Sequence, residues 1–324
     1  MVLGILMASA AGVEIVCVTP NPALDRTLEV PRFKPGTILR APSARVAAGG
    51  KGVNVARALA ALGAAARCMG PLGGASGKIL ADLARAEGLA AAWTWCEGET
   101  RSCVILVDPE AKQATVINES GPRLKADDWN RVGAEVLAGS ERGQTVSLSG
   151  SLPPGLPDES LAQLCRSLVE AGREVWADSS GPALASALSV RGVRMKINRE
   201  EAEEVLGAPL NGVAACGGAA RELLSRGPTT VVITLGADGA VLASAEGCWH
   251  SSAPPVESAS AVASGDSFLA GLVAALTSGR DPAEALSWGV AAGTANAMAN
   301  GGSRFSREQF DAILTRVKGR AVSR

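Results

Sequence analysis

Three glycine-centred runs carry the residues whose types and spacing could do chemistry. The first, Ala48-Gly49-Gly50-Lys51-Gly52-Val53-Asn54, opens a helical pattern. Glycines there let the backbone approach a ligand closely, and a helix N-terminus favours an anion. Lys51 adds a mobile positive charge, and Asn54 can hydrogen-bond hydroxyls. A plain strand-to-helix turn with a solvated lysine accounts for the same letters. The second run, Val262 to Gly271, is a loop entering an Ala-rich helix. Successive N–H groups at such a turn form a nest for a phosphate. Asp266 stands where a carboxylate could take a proton from an attacking hydroxyl while anionic charge is held beside it. The plainer reading is an N-cap by Ser264 or Asp266. The third run, Thr234-Leu235-Gly236-Ala237-Asp238-Gly239, ends a strand in a tight turn, and β-turn chemistry alone explains it.

Other polar residues are weighed in the same way. Asn198-x-x-Glu201 has the composition of a capping box, and a carboxylate so ordered could also orient water around Mg²⁺. Arg40, Lys51 and Arg101 are candidates to hold a substrate phosphate. Asp25 follows the first strand, at the carboxyl end of a parallel sheet, where ligands bind. Neither Lys51 nor Lys78 is followed by Ser or Thr, so no Walker A loop is present. Gly50-x-Gly52 is followed by Val55 where a dinucleotide fingerprint needs Gly.

Composition removes further chemistries. With one histidine, His250, a Ser-His-Asp triad or a multi-His zinc site is disfavoured. Seven scattered cysteines without a Cys-x-x-Cys pair read as incidental thiols in a reducing cytosol. A formal net charge of −1 argues against a broad nucleic-acid footprint but allows a local basic cluster around a small anion. Residues 1–12 read as an N-terminal extension rather than a signal peptide, because no Lys or Arg precedes the apolar run. One domain is expected over 13–324, in the cytoplasm and with no membrane span.

The segment 13–19 is β-branched and reads as a buried first strand. Short extended pieces over 27–46, broken by prolines, read as edge strands. Helices are predicted over 52–62 and 77–87, and a hairpin pairs 102–107 with 114–117. Beyond 121 the pattern is regular. Helices are predicted over 126–138, 158–171, 182–188, 199–206, 216–226, 265–278 and 282–299. Strands are predicted over 144–149, 173–178, 193–197 and 229–235, with a hairpin near 240–250. This alternation predicts a mostly parallel α/β sheet covered on both faces. The pieces at about 27–46 and 93–118 belong to no βα repeat and are placed in a small β-sheet lid.

Taken together, these residues resemble the ribokinase-like (pfkB-type) carbohydrate kinases, in the hexose-phosphate kinase branch. The resemblance runs from Val13 to about Val317 in ordered pieces. Among them are TPNPALDRTLEV, AAGGKGVNVARAL, GETRSCVILVD, INESGP, SGSLPPGLP, ADSSGPAL, KINREEAEEVLG, TLGADGA, VASGDSFLAG and AAGTANAM. It implies a Rossmann-like α/β/α core with a β-sheet lid, and a homodimer. It implies ATP and Mg²⁺ as cofactors, and it allows a monovalent cation. Asp266 would be the base, with Ala263, Ser264 and Gly265 as the anion hole. Asp25, Gly49, Gly50 and Asn54 would grip sugar hydroxyls, and Lys51 and Arg101 the substrate phosphate. Lys196, Thr234, Gly236, Gly239 and Asn296 would lie near ATP, and Glu201 would reach magnesium through water. Lys51 within GGKG resembles the 1-phosphofructokinase and tagatose-6-phosphate kinase members, so fructose 1-phosphate is the expected acceptor. Tagatose 6-phosphate and fructose 6-phosphate are the alternatives. Two positions depart from the family pattern: Ala263 replaces the first Gly of GxGD, and Ile197 replaces the Pro of Lys-Pro-Asn. They motivate a reading of another class, a sensor that binds sugar phosphate without catalysis.

Overall fold

Alternation along single strands explains how the core is divided. Val16 and Val18 face one hydrophobic cluster while Ile15 and Cys17 face another; Val231 and Ile233 are likewise separated from Val232. A strand buried on both faces needs helices on both sides of its sheet. The computed structural model, which describes residues 14–322 apart from 112, 259 and 300, has that arrangement.

The chain begins with β1 (Ile15–Val18), β2 (Ala23–Glu29) and β3 (Ser43–Gly49), then α1 (Lys51–Ala61), β4 (Ala66–Leu72), α2 (Gly74–Ala86) and β5 (Ala90–Trp95). The hairpin β6 (Arg101–Asp108) and β7 (Gln113–Asn118) follows. A regular series comes next: α3 (Ala126–Ala138), β8 (Thr145–Ser149), α4 (Ser160–Glu170), β9 (Glu174–Asp178), α5 (Gly181–Ala187), β10 (Arg194–Asn198), α6 (Arg199–Leu206), α7 (Gly212–Leu224) and β11 (Thr230–Thr234). The chain closes with β12 (Ala240–Ser244), β13 (Gly247–Ser252), α8 (Ser264–Thr277), α9 (Pro282–Met298), α10 (Arg307–Leu314) and β14 (Lys318–Ala321).

Ten strands form the large sheet, in the order β14-β13-β12-β11-β10-β9-β8-β1-β4-β5. Pairing is parallel from β11 to β5 and antiparallel from β11 outward to β14. Helices α3, α4 and α7 cover one face, and α1, α2, α8, α9 and α10 the other. A separate four-stranded sheet has the order β3-β2-β6-β7.

The small sheet differs from expectation in two respects. The stretch from 93 to 95, placed in the lid from its sequence, belongs to β5 at the edge of the large sheet, in parallel register with β4. Strand β4 hides its character behind Gly70-Pro71, residues that normally argue against a strand. Within the small sheet β2 is interior, paired on both sides, rather than an edge. The sequence reading also did not anticipate α10 and β14. Residues 1–12, expected to be an extension, lie outside the described residues, as does the start of the first predicted strand at position 13. All seven cysteines are unpaired. Among the described residues, no helix is long and apolar enough to cross a membrane.

Candidate active site

Helix α8 begins at an unusual place. Its N-cap, Ala263, takes a left-handed conformation (φ 61°, ψ 13°), and no side chain caps the helix. Ser264 N donates to the Ala261 carbonyl at 3.2 Å, while the first-turn N–H groups of Gly265 and Asp266 lack the side-chain acceptor that ordinarily satisfies such donors. Asp266, on that first turn, is buried. Burial is the main reason its carboxyl is pushed up to about 6; Lys51 opposes the shift and Asp178 adds to it.

Asn54 on α1 donates from Nδ2 to Asp266 Oδ2 at 2.9 Å. The amide faces that way because Arg57, one turn on, donates from Nη1 to Asn54 Oδ1 at 2.8 Å. Arg57 is itself anchored: Nη2 donates to the Ala48 carbonyl at 2.6 Å and Nε to Glu87 at 2.6 Å. A buried arginine thus sets which end of Asn54 meets the carboxylate. Asp25, on β2, is also raised to about 6, chiefly by burial and against the pull of Arg57 and Arg101. Its carboxyl packs directly on the backbone of Gly49, where a Cβ would sit 2.2 Å from the carboxyl carbon. Glycine is the residue that permits this contact. Gly50 is the N-cap of α1, next to Lys51.

The two lysines converge on a residue that the sequence reading missed. Asp178, at the end of β9, is fully buried. Its Oδ1 accepts from Lys51 Nζ at 2.8 Å and its Oδ2 from Lys196 Nζ at 2.9 Å. Burial would raise the Asp178 carboxyl, but the two ammonium groups outweigh it and hold it below the usual carboxylate range. Asp178, then Asp266 and Glu201, are the charges that hold Lys51 protonated. Lys196 lies against the anion loop, where a Cβ on Gly265 would be 2.9 Å from its Nζ. The only sequence sign of Asp178 is its place at the end of a strand, in ADSSGPAL, just before a helix.

Arg101 stands elsewhere, at the start of β6. Its Nε and Nη2 donate to the Asn21 carbonyl at 3.2 and 3.0 Å, and its Nη1 to the Glu119 carbonyl at 3.0 Å. It acts electrostatically on Asp25 and Cys103. Lys51, then, is bonded to Asp178 and adjoins Asp266, while Arg101 is bonded to the Asn21 and Glu119 carbonyls and adjoins Asp25.

The remaining expected residues lie along the carboxyl ends of β10 and β11 and behind the α8 loop. Glu201 completes a capping box with Asn198: each backbone N–H donates to the other's side chain, at 2.8 and 2.7 Å. Thr234 ends β11 and donates to the Ile197 carbonyl at 3.4 Å. Gly236 and Gly239 bracket a single 3₁₀ turn. Asn296 is fully buried and holds the loop from behind, donating to the Val262 carbonyl at 2.8 Å and Ser264 Oγ at 2.9 Å, and accepting from Ser303 N at 2.6 Å. His250 is buried, with Nε2 2.8 Å from the Asp238 carbonyl.

A covered parallel sheet, a small second sheet bearing Asp25, and a buried aspartate on an uncapped helix start define a ribokinase-like α/β/α protein. The chain belongs to the pfkB family of carbohydrate kinases, whose profile matches residues 16–308. It is 38% identical to the 1-phosphofructokinase of Xanthomonas campestris pv. campestris over 81% of this chain and 84% of that protein. It is 34% identical to the ATP-dependent 6-phosphofructokinase isozyme 2 of Escherichia coli K12, over 90% and 94%. The crystal structure of Escherichia coli phosphofructokinase-2 in complex with potassium superposes with a TM-score of 0.89 at 31% identity, covering 94% of this chain and 99% of that one.

Proposed function

We propose that this chain transfers a phosphoryl group from ATP to the free hydroxyl of a phosphorylated hexose, with fructose 1-phosphate as the preferred acceptor. The observation that carries the reading is Asp266: a buried carboxylate on the uncapped first turn of α8, hydrogen-bonded by Asn54 and flanked by two lysines. The name of the Xanthomonas relative supports the choice of acceptor.

The acceptor sugar lies between the small sheet and the carboxyl ends of the large one, its hydroxyls on Asp25, Asn54 and the Gly49–Gly50 backbone. Asp266 takes the hydroxyl proton as the oxygen attacks. The N–H groups of Gly265 and Asp266 meet the charge on the transferring group, with that of Ser264 turning from the Ala261 carbonyl to join them, and Lys51 and Lys196, aligned by Asp178, stand beside it. The triphosphate is placed along Lys196, Thr234, Gly236 and Gly239, with Asn296 shaping the loop. The small sheet closes over the site and excludes water as a competing acceptor. Magnesium would neutralise phosphate charge when bound. The residue that fits it is Glu201, half-buried and raised by that burial, with one carboxylate oxygen held by Asn198 N and the other without a hydrogen bond among the described residues. It would hold the ion through water. Homodimerisation through the small sheet is part of the same proposal.

Turnover with Mg-ATP is measured for fructose 1-phosphate, tagatose 6-phosphate, fructose 6-phosphate and unphosphorylated fructose, with and without potassium. The highest kcat/KM is expected for fructose 1-phosphate. Asp266→Asn should lose about 10²–10⁴-fold in kcat with little change in KM. Full turnover in that variant removes Asp266 from the role of base. Binding of sugar phosphate without turnover in the parent chain identifies a sensor instead.

A further inference from the structure

With Lys51 bonded to Asp178, a second cation for the substrate's own phosphate is wanted beside Arg101. A cavity of about 570 Å³ beside Arg101 contains one. Its charged walls are Arg101, Arg123, Glu97, Glu99 and Glu119, and its size falls within the roughly 300–1,000 Å³ of small-molecule sites. The three carboxylates are each engaged. Glu97 accepts from Lys125 Nζ at 2.7 Å. Glu99 accepts from the backbone N–H groups of Ala75 and Ser76 at the start of α2, at 3.0 Å each. Glu119 accepts from Ser102 N at 2.8 Å.

The two guanidinium groups are the opposite case. Arg101 spends three donor atoms on neutral carbonyls, with no hydrogen bond to a carboxylate among the described residues and two of its five N–H groups left over. Arg123 makes no hydrogen bond or ion pair among the described residues. It is nonetheless seated. Its stem lies across Gly155, where a Cβ would be 2.8 Å from Arg123 Cγ, and the next residue, Leu124, donates from its backbone N to the Pro154 carbonyl at 2.8 Å. The planar donor fork of arginine matches phosphate oxygens. On the other side Arg101 adjoins the sugar site: Ala23 is its register partner on β2, and Asp25 lies two residues on, along the same face.

We propose that Arg123 joins Arg101 to grip the acceptor's own phosphate in this cavity, and so makes the site select phosphorylated over plain sugars. The proposal rests on the kinase reading for the identity of the ligand, but its test does not depend on turnover. Binding of fructose 1-phosphate to the full chain is measured by calorimetry, alongside kcat and KM, for the parent protein, Arg123→Gln and Arg123→Lys. Arg123 is exposed, so neither substitution disturbs the core, and melting curves check that. Arg123→Gln is expected to weaken binding and raise KM about tenfold or more, with kcat within about twofold. Arg123→Lys, a point charge without the fork, should recover part of the loss. Fructose without phosphate, at matched high concentration, should give the same rate in all three. Unchanged fructose 1-phosphate affinity in Arg123→Gln overturns the proposal, as does a parent protein that binds no sugar phosphate. A parent protein that binds fructose 1-phosphate through Arg123 yet never turns over sinks the kinase reading and leaves this one standing.

Discussion

Asp266 and Asp25 are both held near pH 6 by burial, and this carries a pH dependence with a definite sign. A base works only when deprotonated, so kcat/KM should rise with pH through about 6 and level off above it. Because the Asp266 charge also raises Asp25, the acid limb belongs to the pair, and their repulsion spreads it over a wider pH range than one group would give. A pH–rate profile of Asp25→Asn, with its lower activity, should show a limb reduced to a single proton. The stability terms run the other way. For these two groups the folded value lies above the ordinary 3.8, so their contribution is greatest at low pH and is lost as pH rises through about 6. Activity confined to pH values well below 5 would contradict the assignment of Asp266.

At the scale of elements, the start of α8 stores strain in one residue. Ala263 occupies the left-handed region at φ 61°, which an L-residue with a Cβ reaches at a cost of about 1 kcal/mol. The loop is held there by Asn296, whose amide bonds fix Val262, Ser264 and Ser303 at once. The chain therefore keeps a conformation that glycine would adopt freely, with the N–H groups of Gly265 and Asp266 still presented. Ala263→Gly should stabilise the protein by about 1 kcal/mol, a rise in Tm of about 2 °C, with kcat within about twofold. A fall in Tm would show that the loop does not need that conformation. The departure at Ile197 has no such consequence: it is a buried strand residue within β10.

At the scale of the whole molecule, the small sheet presents two unlike faces. One row crosses Ala47, Asp25, Cys103 and Asn118 and carries the site aspartate. The next row, on the opposite face, crosses Val46, Arg26, Val104 and Ile117. Ile117 is 55% exposed and Val46 40%, and Ile38 in the β2–β3 connection is 93% exposed. Apolar side chains concentrated on the back of a small sheet fit a self-complementary contact with a second copy. A homodimer is expected by light scattering, and Ile117→Glu with Val46→Glu should give monomers that remain folded. A parent protein that is monomeric at micromolar concentration would remove the lid from this role.

What the sequence determined by itself is local. The order of strands and helices from residue 121 to the end of α9, the Asn198–Glu201 capping box and the placing of Asp266 at a helix start all follow from neighbours within a few positions, where periodicity and capping chemistry are written. The departure at position 263 was legible only through the resemblance, and the left-handed conformation there came from the structure. Tertiary structure decided what depends on distant chain segments. Lys51 and Asp178 are 127 residues apart, and Asn54 and Asp266 are 212. No spacing rule links such pairs, so neither the bridge between two lysines nor the meeting of Asn54 with Asp266 could be read in advance. The same holds for β4 and β5. Gly70-Pro71 and a run of alanines carry weak local preference, and the parallel neighbours they find in the large sheet make them strands.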